Sequence, residues 1–303
     1  MSTPIDYRQH LTDDGFAIFL FHGVIRAHRH PVRNYTRKHI DLDRFVTILR
    51  QLCGAGTAIS MAQVVEATRN KTPLPPRAFA VTFDDGFENN LSVAAPALDD
   101  LHVPSTFYAT TAFLAENSGS WTDQIEYAVE GTPICQLDLP CARGRFSDDA
   151  QKIQLLDRIR AYVKATPSVD PYAFAAQVWQ QLGVRDQIPD PDLDQKLSWS
   201  DVRALARHPL FIVGGHGHTH RILSFLSPDE LEREIALSLS LLQPHLPPDP
   251  LHYSYPEGLH HCYSEAVIES LRRHGVVCAP TAEPGANHVG DDLFRLRRFM
   301  ISA

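Results

Sequence analysis

Two six-residue apolar runs constrain this chain more than any other feature. Phe16-Ala-Ile-Phe-Leu-Phe21 and Ala78-Phe-Ala-Val-Thr-Phe83 are too short for helices and lack a regular polar face. As strands they must therefore be covered on both sides. Helical patterns at 41–53 (with Asp41 placed to cap), 88–101, 228–242 and 264–274 alternate with further short apolar runs at 104–109, 210–213, 251–255, 276–278 and 294–301. The 228–242 pattern opens with Ser227, Pro228 and Glu230, a capping box with proline in the first turn. Such alternation builds βαβ units and a mainly parallel sheet. About seven repeats suit a distorted (β/α) barrel better than an open sheet, and no internal sequence repeat is visible.

Residues 114–196 show no strand pattern. Helical stretches at 122–129, 148–165 and 172–182 are joined by polar, proline-rich segments such as Ile188-Pro-Asp-Pro-Asp-Leu193. The expectation is one domain, 1–303, carrying a largely helical insertion at 114–196. Loops of a barrel commonly line its site.

Composition excludes some roles. Hydrophobic residues at 44% and charged residues at 21% allow a sizeable core, and a net charge of -8 argues against nucleic acid or an anionic membrane as the main partner. Residues 1–15 lack the basic-then-apolar pattern of a secretory signal, and no apolar run reaches about 18 residues. Cys53, Cys135, Cys141, Cys262 and Cys278 are odd in number and scattered, so they read as reduced thiols of a cytoplasmic protein. A Cys135–Cys141 pairing is the minor alternative.

Two clusters carry chemistry. Thr82-Phe-Asp-Asp-Gly86 follows directly on an apolar strand. Adjacent carboxylates at a strand tip repel and lose hydration, a cost tolerated only beside positive charge. Gly86 lets the chain turn away. An ordinary Asp-Asp-Gly turn is the bland alternative. Gly214-Gly-His-Gly-His-Thr-His220 also follows an apolar strand, and its imidazoles suit Zn²⁺ or a similar ion, unless it is only a histidine-rich surface loop. One aspartate and two histidines would make three protein ligands, leaving a second carboxylate to accept a proton.

These residues resemble the polysaccharide deacetylase family (carbohydrate esterase family 4). Thr82–Gly86 matches its first motif, and Gly214–His220 looks like its His-x-x-x-His motif. Leu251-His-Tyr-Ser-Tyr-Pro-Glu-Gly258 is similar to a Tyr-Pro-x-Gly form of its third motif. Phe19–Val24, Leu197–Val202 and Phe294–Phe299 resemble its opening strand, its Leu-Ser-Trp segment and its closing strand, so the likeness spans 16–112 and 197–301. The resemblance implies that Asp84 is the general base. It also implies that Asp85, His216 and His220 hold a divalent metal ion, expected to be zinc, while His218 stands by. The backbone N–H of Glu257 would stabilise the oxyanion.

Three departures stand out. Ser254-Tyr-Pro-Glu257 replaces Arg-x-Pro-Tyr, so the arginine that orients the base is out of place, and Arg298 on the last strand is a substitute to test. No Leu-x-His occurs near the C-terminus, leaving His22 and His252 as candidate general acids. Gly217 replaces the usual threonine or serine. Trp121, at the start of the insertion with Asp123, is a candidate sugar-stacking residue, although a core tryptophan is the simpler reading.

The expected activity is metal-dependent removal of an N-acetyl or other N-acyl group from a sugar or glycan intermediate. A small non-sugar amide as substrate, or a non-catalytic carbohydrate-binding role, are the alternatives.

Overall fold

The computed structural model describes residues 5–302. Its seven barrel strands are β1 (Phe16–Phe21), β2 (Ala78–Phe83), β3 (Ser105–Ala109), β4 (Phe211–Gly215), β5 (Leu251–His252), β6 (Val276–Cys278) and β7 (Phe299–Met300). The order β7-β1-β2-β3-β4 is parallel throughout, with Thr57–Ala58 pairing beside β2. A bridge between Gly215 and Tyr253 continues the sheet to β5, which pairs in parallel with β6. The gap between β6 and β7 is spanned by irregular chain, through Ala279 N–H to Leu293 O and Arg298 N–H to Glu283 O, each 2.9 Å. The barrel is therefore distorted. Gly214 permits the approach of β5, because a Cβ there would lie 2.6 Å from the His252 carbonyl oxygen.

Helices α1 (Leu42–Cys53), α2 (Met61–Asn70), α3 (Ala95–Asp100) and α4 (Thr111–Glu116) follow the first three strands. The insertion contributes α5 (Trp121–Gly131), α6 (Asp149–Ala165) and α7 (Pro171–Leu182), and the barrel resumes with α8 (Trp199–Arg207), α9 (Pro228–Leu242) and α10 (Glu265–Arg273). Among the described residues, no helix is long and apolar enough to cross a membrane. All five cysteines are free.

The apolar runs are buried on both faces, and the period of two assigns each face. Phe19, Phe21, Phe79, Val81, Phe83 and Phe107 pack outward against Phe45, Leu49 and Leu52 of α1, Leu98 of α3 and Val202 of α8. The Phe21–Phe83 and Phe83–Phe107 rings stack at 5.4 and 5.0 Å between centroids. Ile18 and Ala80 fall on the opposite face with Cys278 and Leu296. Thr82 shares that inward parity, and so does the next residue but one, Asp84.

Three sequence expectations need correction. The insertion is not free of strands: Cys135–Leu139 and Ala142–Phe146 form an antiparallel hairpin. The cue was present in Cys-Gln-Leu-Asp-Leu, whose alternate residues Cys135, Leu137 and Leu139 are buried in the insertion's own core with Trp121, Leu156 and Phe174. The stretch expected as one helix over 88–101 begins as a π turn, Asn90–Ala94, before α3, whose first turn contains Pro96. The final strand is only Phe299–Met300, because Asp292 turns the chain by accepting from the Phe294 N–H at 3.0 Å.

Candidate active site

The carboxyl ends of β2, β4 and β5 bring the two clusters together. After Phe83 the chain bends through Asp85 (φ 77) and Gly86 (φ 80), two successive left-handed residues. Aspartate tolerates this region better than most side chains. The end of the insertion clamps the bend, with Leu197 N–H on Gly86 O at 3.0 Å and Glu88 N–H on Gln195 O at 2.8 Å. Asp84 then points into the barrel while Asp85 turns toward the histidine loop.

Asp85, His216 and His220 are buried, and one donor atom from each lies within 4.8 Å of the others. Asp85 Oδ1 is 3.6 Å from His216 Nε2 and 3.2 Å from His220 Nε2. Donors held tetrahedrally at about 2.1 Å from one ion sit roughly 3.4 Å apart, so the spacing fits zinc. Asp85 Oδ1 is buried without a hydrogen-bond partner, a costly state that an ion would relieve.

His216 Nδ1 lies 2.9 Å from the Ser254 carbonyl oxygen. With the proton on Nδ1 donated there, Nε2 faces Asp85 with a free lone pair. Burial pushes His216 down to about 4, against the opposing pull of Asp84, so the ring is neutral near pH 7. His220 is different: burial would lower it, but Asp85 prevails and raises it. The reciprocal effect holds Asp85 well below the carboxylate range although burial alone would raise it.

The histidine loop is held from below. Glu234 of α9 accepts from the His218 and Thr219 backbone N–H groups at 2.8 and 2.6 Å and from Thr219 Oγ1 at 2.9 Å. The His218 imidazole meets Thr111 Oγ1 at 2.9 Å and is not in the buried trio. Sequence reading missed Glu234. Its signal was an acid on the buried face of α9, between Leu231 and Ile235.

Asp84 has a separate set of partners. Arg298, fully buried, donates from Nη1 to Oδ1 at 2.8 Å and from Nη2 to Oδ2 at 2.7 Å. Nη2 also donates to Ser254 Oγ at 2.8 Å, and Nη1 to Thr82 Oγ1 at 3.2 Å. Burial alone would raise the Asp84 pKa, but the Arg298 charge overrides it and the net shift is downward. The guanidinium thus occupies the role that Ser254 cannot fill, supplied from 44 residues further along the chain.

The other candidates separate. His22 ends β1 at the site: burial lowers its pKa against the charges of Asp85 and Asp84, and its Nδ1 is buried without a partner. His252 does not reach the site. It lies two residues before Ser254 on β5, with Nδ1 3.1 Å from Cys278 Sγ, and lines a groove with Arg69, Pro104 and Phe211 at the amino-terminal ends of the strands. The strand direction, invisible in the motif, decides this. Trp121 takes the simpler reading: at 3% exposure it packs mainly into the insertion core, although it also borders a small pocket beside His220 and Glu257. Asp123 is committed as well, to Lys38 Nζ at 2.5 Å and the buried Lys196 Nζ at 3.3 Å. Trp121→Ala should therefore cost about 3–5 kcal/mol of stability, read as a lowered Tm. A variant with unchanged Tm would return Trp121 to the substrate surface.

Glu257 adopts φ 61 after Pro256, and among the described residues nothing accepts its backbone N–H. Its carboxylate pairs with Lys164 of α6. Burial would raise this group, but Lys164 dominates and holds it down at about 2.

A distorted parallel barrel with paired aspartates and a His-x-x-x-His segment converging at its carboxyl end defines a barrel hydrolase of the deacetylase class. Residues 71–279 match the family model for polysaccharide deacetylase, and the chain belongs to that family. Comparison with curated proteins returns no significant match. Several solved structures share the fold. The deacetylase PplD of Streptococcus pyogenes, in complex with acetate, is 15% identical, with 96% of this chain and 94% of that one covered at a TM-score of 0.64. IcaB from Ammonifex degensii is 16% identical, covering 97% and 94% at a TM-score of 0.61. The BpsB deacetylase domain from Bordetella bronchiseptica is 18% identical, covering 96% and 97% at a TM-score of 0.57.

Proposed function

We propose that this chain removes the N-acetyl group of a sugar or glycan by hydrolysis, with a divalent ion, zinc by its donor set, held by Asp85, His216 and His220. The observation that carries this reading is the unequal treatment of two adjacent carboxylates. Both Asp84 oxygens are engaged by Arg298, whereas Asp85 Oδ1 is buried, unpartnered and faces two imidazole nitrogens. One is arranged to stay put and move a proton, the other to ligate.

When bound, the ion supplies Lewis acidity toward water and the acyl oxygen. Asp84 Oδ2, 3.9 Å from His216 Nε2, borders the ligand cluster and takes the proton of the attacking water. The Glu257 N–H donates to the oxygen on which negative charge develops. His22, at the tip of β1, is the histidine placed to relay to the departing amine the proton that Asp84 takes from water, since burial favours its neutral ring; His252, below Ser254 and beside Cys278, cannot fill this role.

The test is acetate release from polymeric and nucleotide-linked N-acetyl sugars, with metal counted on the same samples. A chelator should abolish release, and Zn²⁺ or Co²⁺ should restore it. His216→Ala and His220→Ala should each lose the ion, whereas His218→Ala, whose ring meets Thr111, should keep it. Equal metal loss in all three variants would overturn the ligand assignment.

A further inference from the structure

Resting on that reading, we infer that the insertion takes part in the chemical step: Lys164 is a positioning residue that, through the Glu257 carboxylate, fixes the backbone N–H aimed at the oxyanion. This goes beyond the sequence expectation, in which the insertion is a loop that lines the site.

The argument begins with the backbone. Glu257 (φ 61) and Gly258 (φ 62) are consecutive left-handed residues following Pro256. Gly258 is the natural occupant, since a Cβ there would lie 2.7 Å from the Ala282 nitrogen. Glutamate is not, and a non-glycine side chain keeps such a conformation only where its surroundings over-determine it. Two restraints are present. Gly258 donates to Pro256 O at 2.8 Å and accepts from Ala282 N–H at 2.8 Å, which fixes the far side of the turn. The same Gly258–Pro256 bond closes a tight turn around Glu257 and holds the near side, the Pro256–Glu257 peptide that carries the N–H, and the Glu257 side chain is the anchor that ties this strained turn to the insertion.

That side chain ends on Lys164, in the last turn of α6. The two side chains are only 26% and 16% exposed, so the pair is more than a surface decoration. Lys164 and Glu257 also line one small pocket with His220, Trp121, Val163 and Phe225. The insertion, the candidate ligand His220 and the oxyanion turn thus share a wall. Packing at Trp121 and Val163 holds α6, α6 holds Lys164, and Lys164 holds Glu257. Without the ammonium, a half-starved carboxylate would rotate toward water and take its peptide with it. A hydrogen-bond donor displaced from a developing charge loses most of its catalytic worth.

The test uses the full chain loaded with zinc, an N-acetyl sugar oligomer, and 4-nitrophenyl acetate as an acyl donor too small to reach the insertion. Lys164→Met should lower kcat about tenfold or more on both substrates, short of the roughly 10²–10³ for outright deletion of an oxyanion donor. KM should stay within about twofold and zinc content should not change. Lys164→Arg should restore most of the rate. The double variant Lys164→Met with Glu257→Gln leaves no unpaired buried charge, so it should recover Tm but stay slow. A rise in KM for the oligomer with unchanged turnover of the ester would make Lys164 a substrate contact and overturn the inference. So would wild-type kcat in the double variant. Failure of the deacetylase reading itself looks different: wild-type protein would release no acetate from any N-acetyl sugar, whatever residue 164 is.

Discussion

Asp84→Asn should lower turnover by a factor on the order of 10² to 10⁴, the usual range for a lost general base, while metal content stays near normal. The substitution keeps the shape of the side chain and one of the two oxygens that face Arg298. It removes the lone-pair basicity needed to accept a proton. Asp85, His216 and His220 are untouched, and the Asp85 oxygen that faces the imidazoles does not depend on Asp84. Binding of the ion and chemistry should therefore separate cleanly in acetate release and metal counting. Near-wild-type turnover would show that Asp84 is not the base. Loss of metal together with activity would place it in the ligand set instead.

The strand framework and the candidate metal-ligand cluster were legible because each rests on local chemistry. Phe16–Phe21 and Ala78–Phe83 announce doubly covered strands, and period two then aims Asp84 inward. The histidine loop follows an apolar strand closely enough for its position at the strand tip to be read directly. What was not legible depends on distant chain. The sequence offered Arg298 as a substitute for the missing arginine, but not its geometry: the Arg298–Asp84 pair joins residues 214 apart, and the loose closure of β7 onto β1 brings them together. His252 was misplaced because a motif gives no direction along its strand; the fold puts Ser254 at the upper end and His252 below it. Trp121 was ambiguous because an insertion with its own core can bury a tryptophan as fully as the barrel does. The hairpin at 135–146 was hidden by Arg143, Gly144 and Arg145, whose exposed or flexible character masks the short alternation of its first strand.

Arg298→Met is expected to damage both stability and turnover, and its effect should depend on pH in a particular sense. The guanidinium is fully buried, and methionine fills much of its volume without supplying charge or donors. Asp84 would then be a buried carboxylate with only Ser254 Oγ, at 3.3 Å, left to donate to it. Removing one partner of such a pair typically costs about 3–5 kcal/mol. In the native protein the Asp84 pKa lies below 3.8, despite burial and because of Arg298, so the ionised pair adds stability above that value and loses it in acid. In the variant burial outweighs the weaker pull of His216 and His22 and the single Ser254 hydrogen bond, the folded pKa rises above 3.8, and the sign reverses. The folded state then prefers the protonated form, so the stability deficit should be large near pH 7 and shrink as pH falls. Activity should respond oppositely: a protonated Asp84 cannot act as base, so turnover near pH 7 should fall by about 10² or more and recover partly as pH is raised. Thermal unfolding and acetate release, each followed across pH, read the two trends independently. Adding Asp84→Asn to Arg298→Met should restore much of the lost Tm without restoring turnover, because it removes the unpaired charge but not the need for a base. A variant with wild-type Tm and an unshifted pH profile would mean that Arg298 does not govern Asp84.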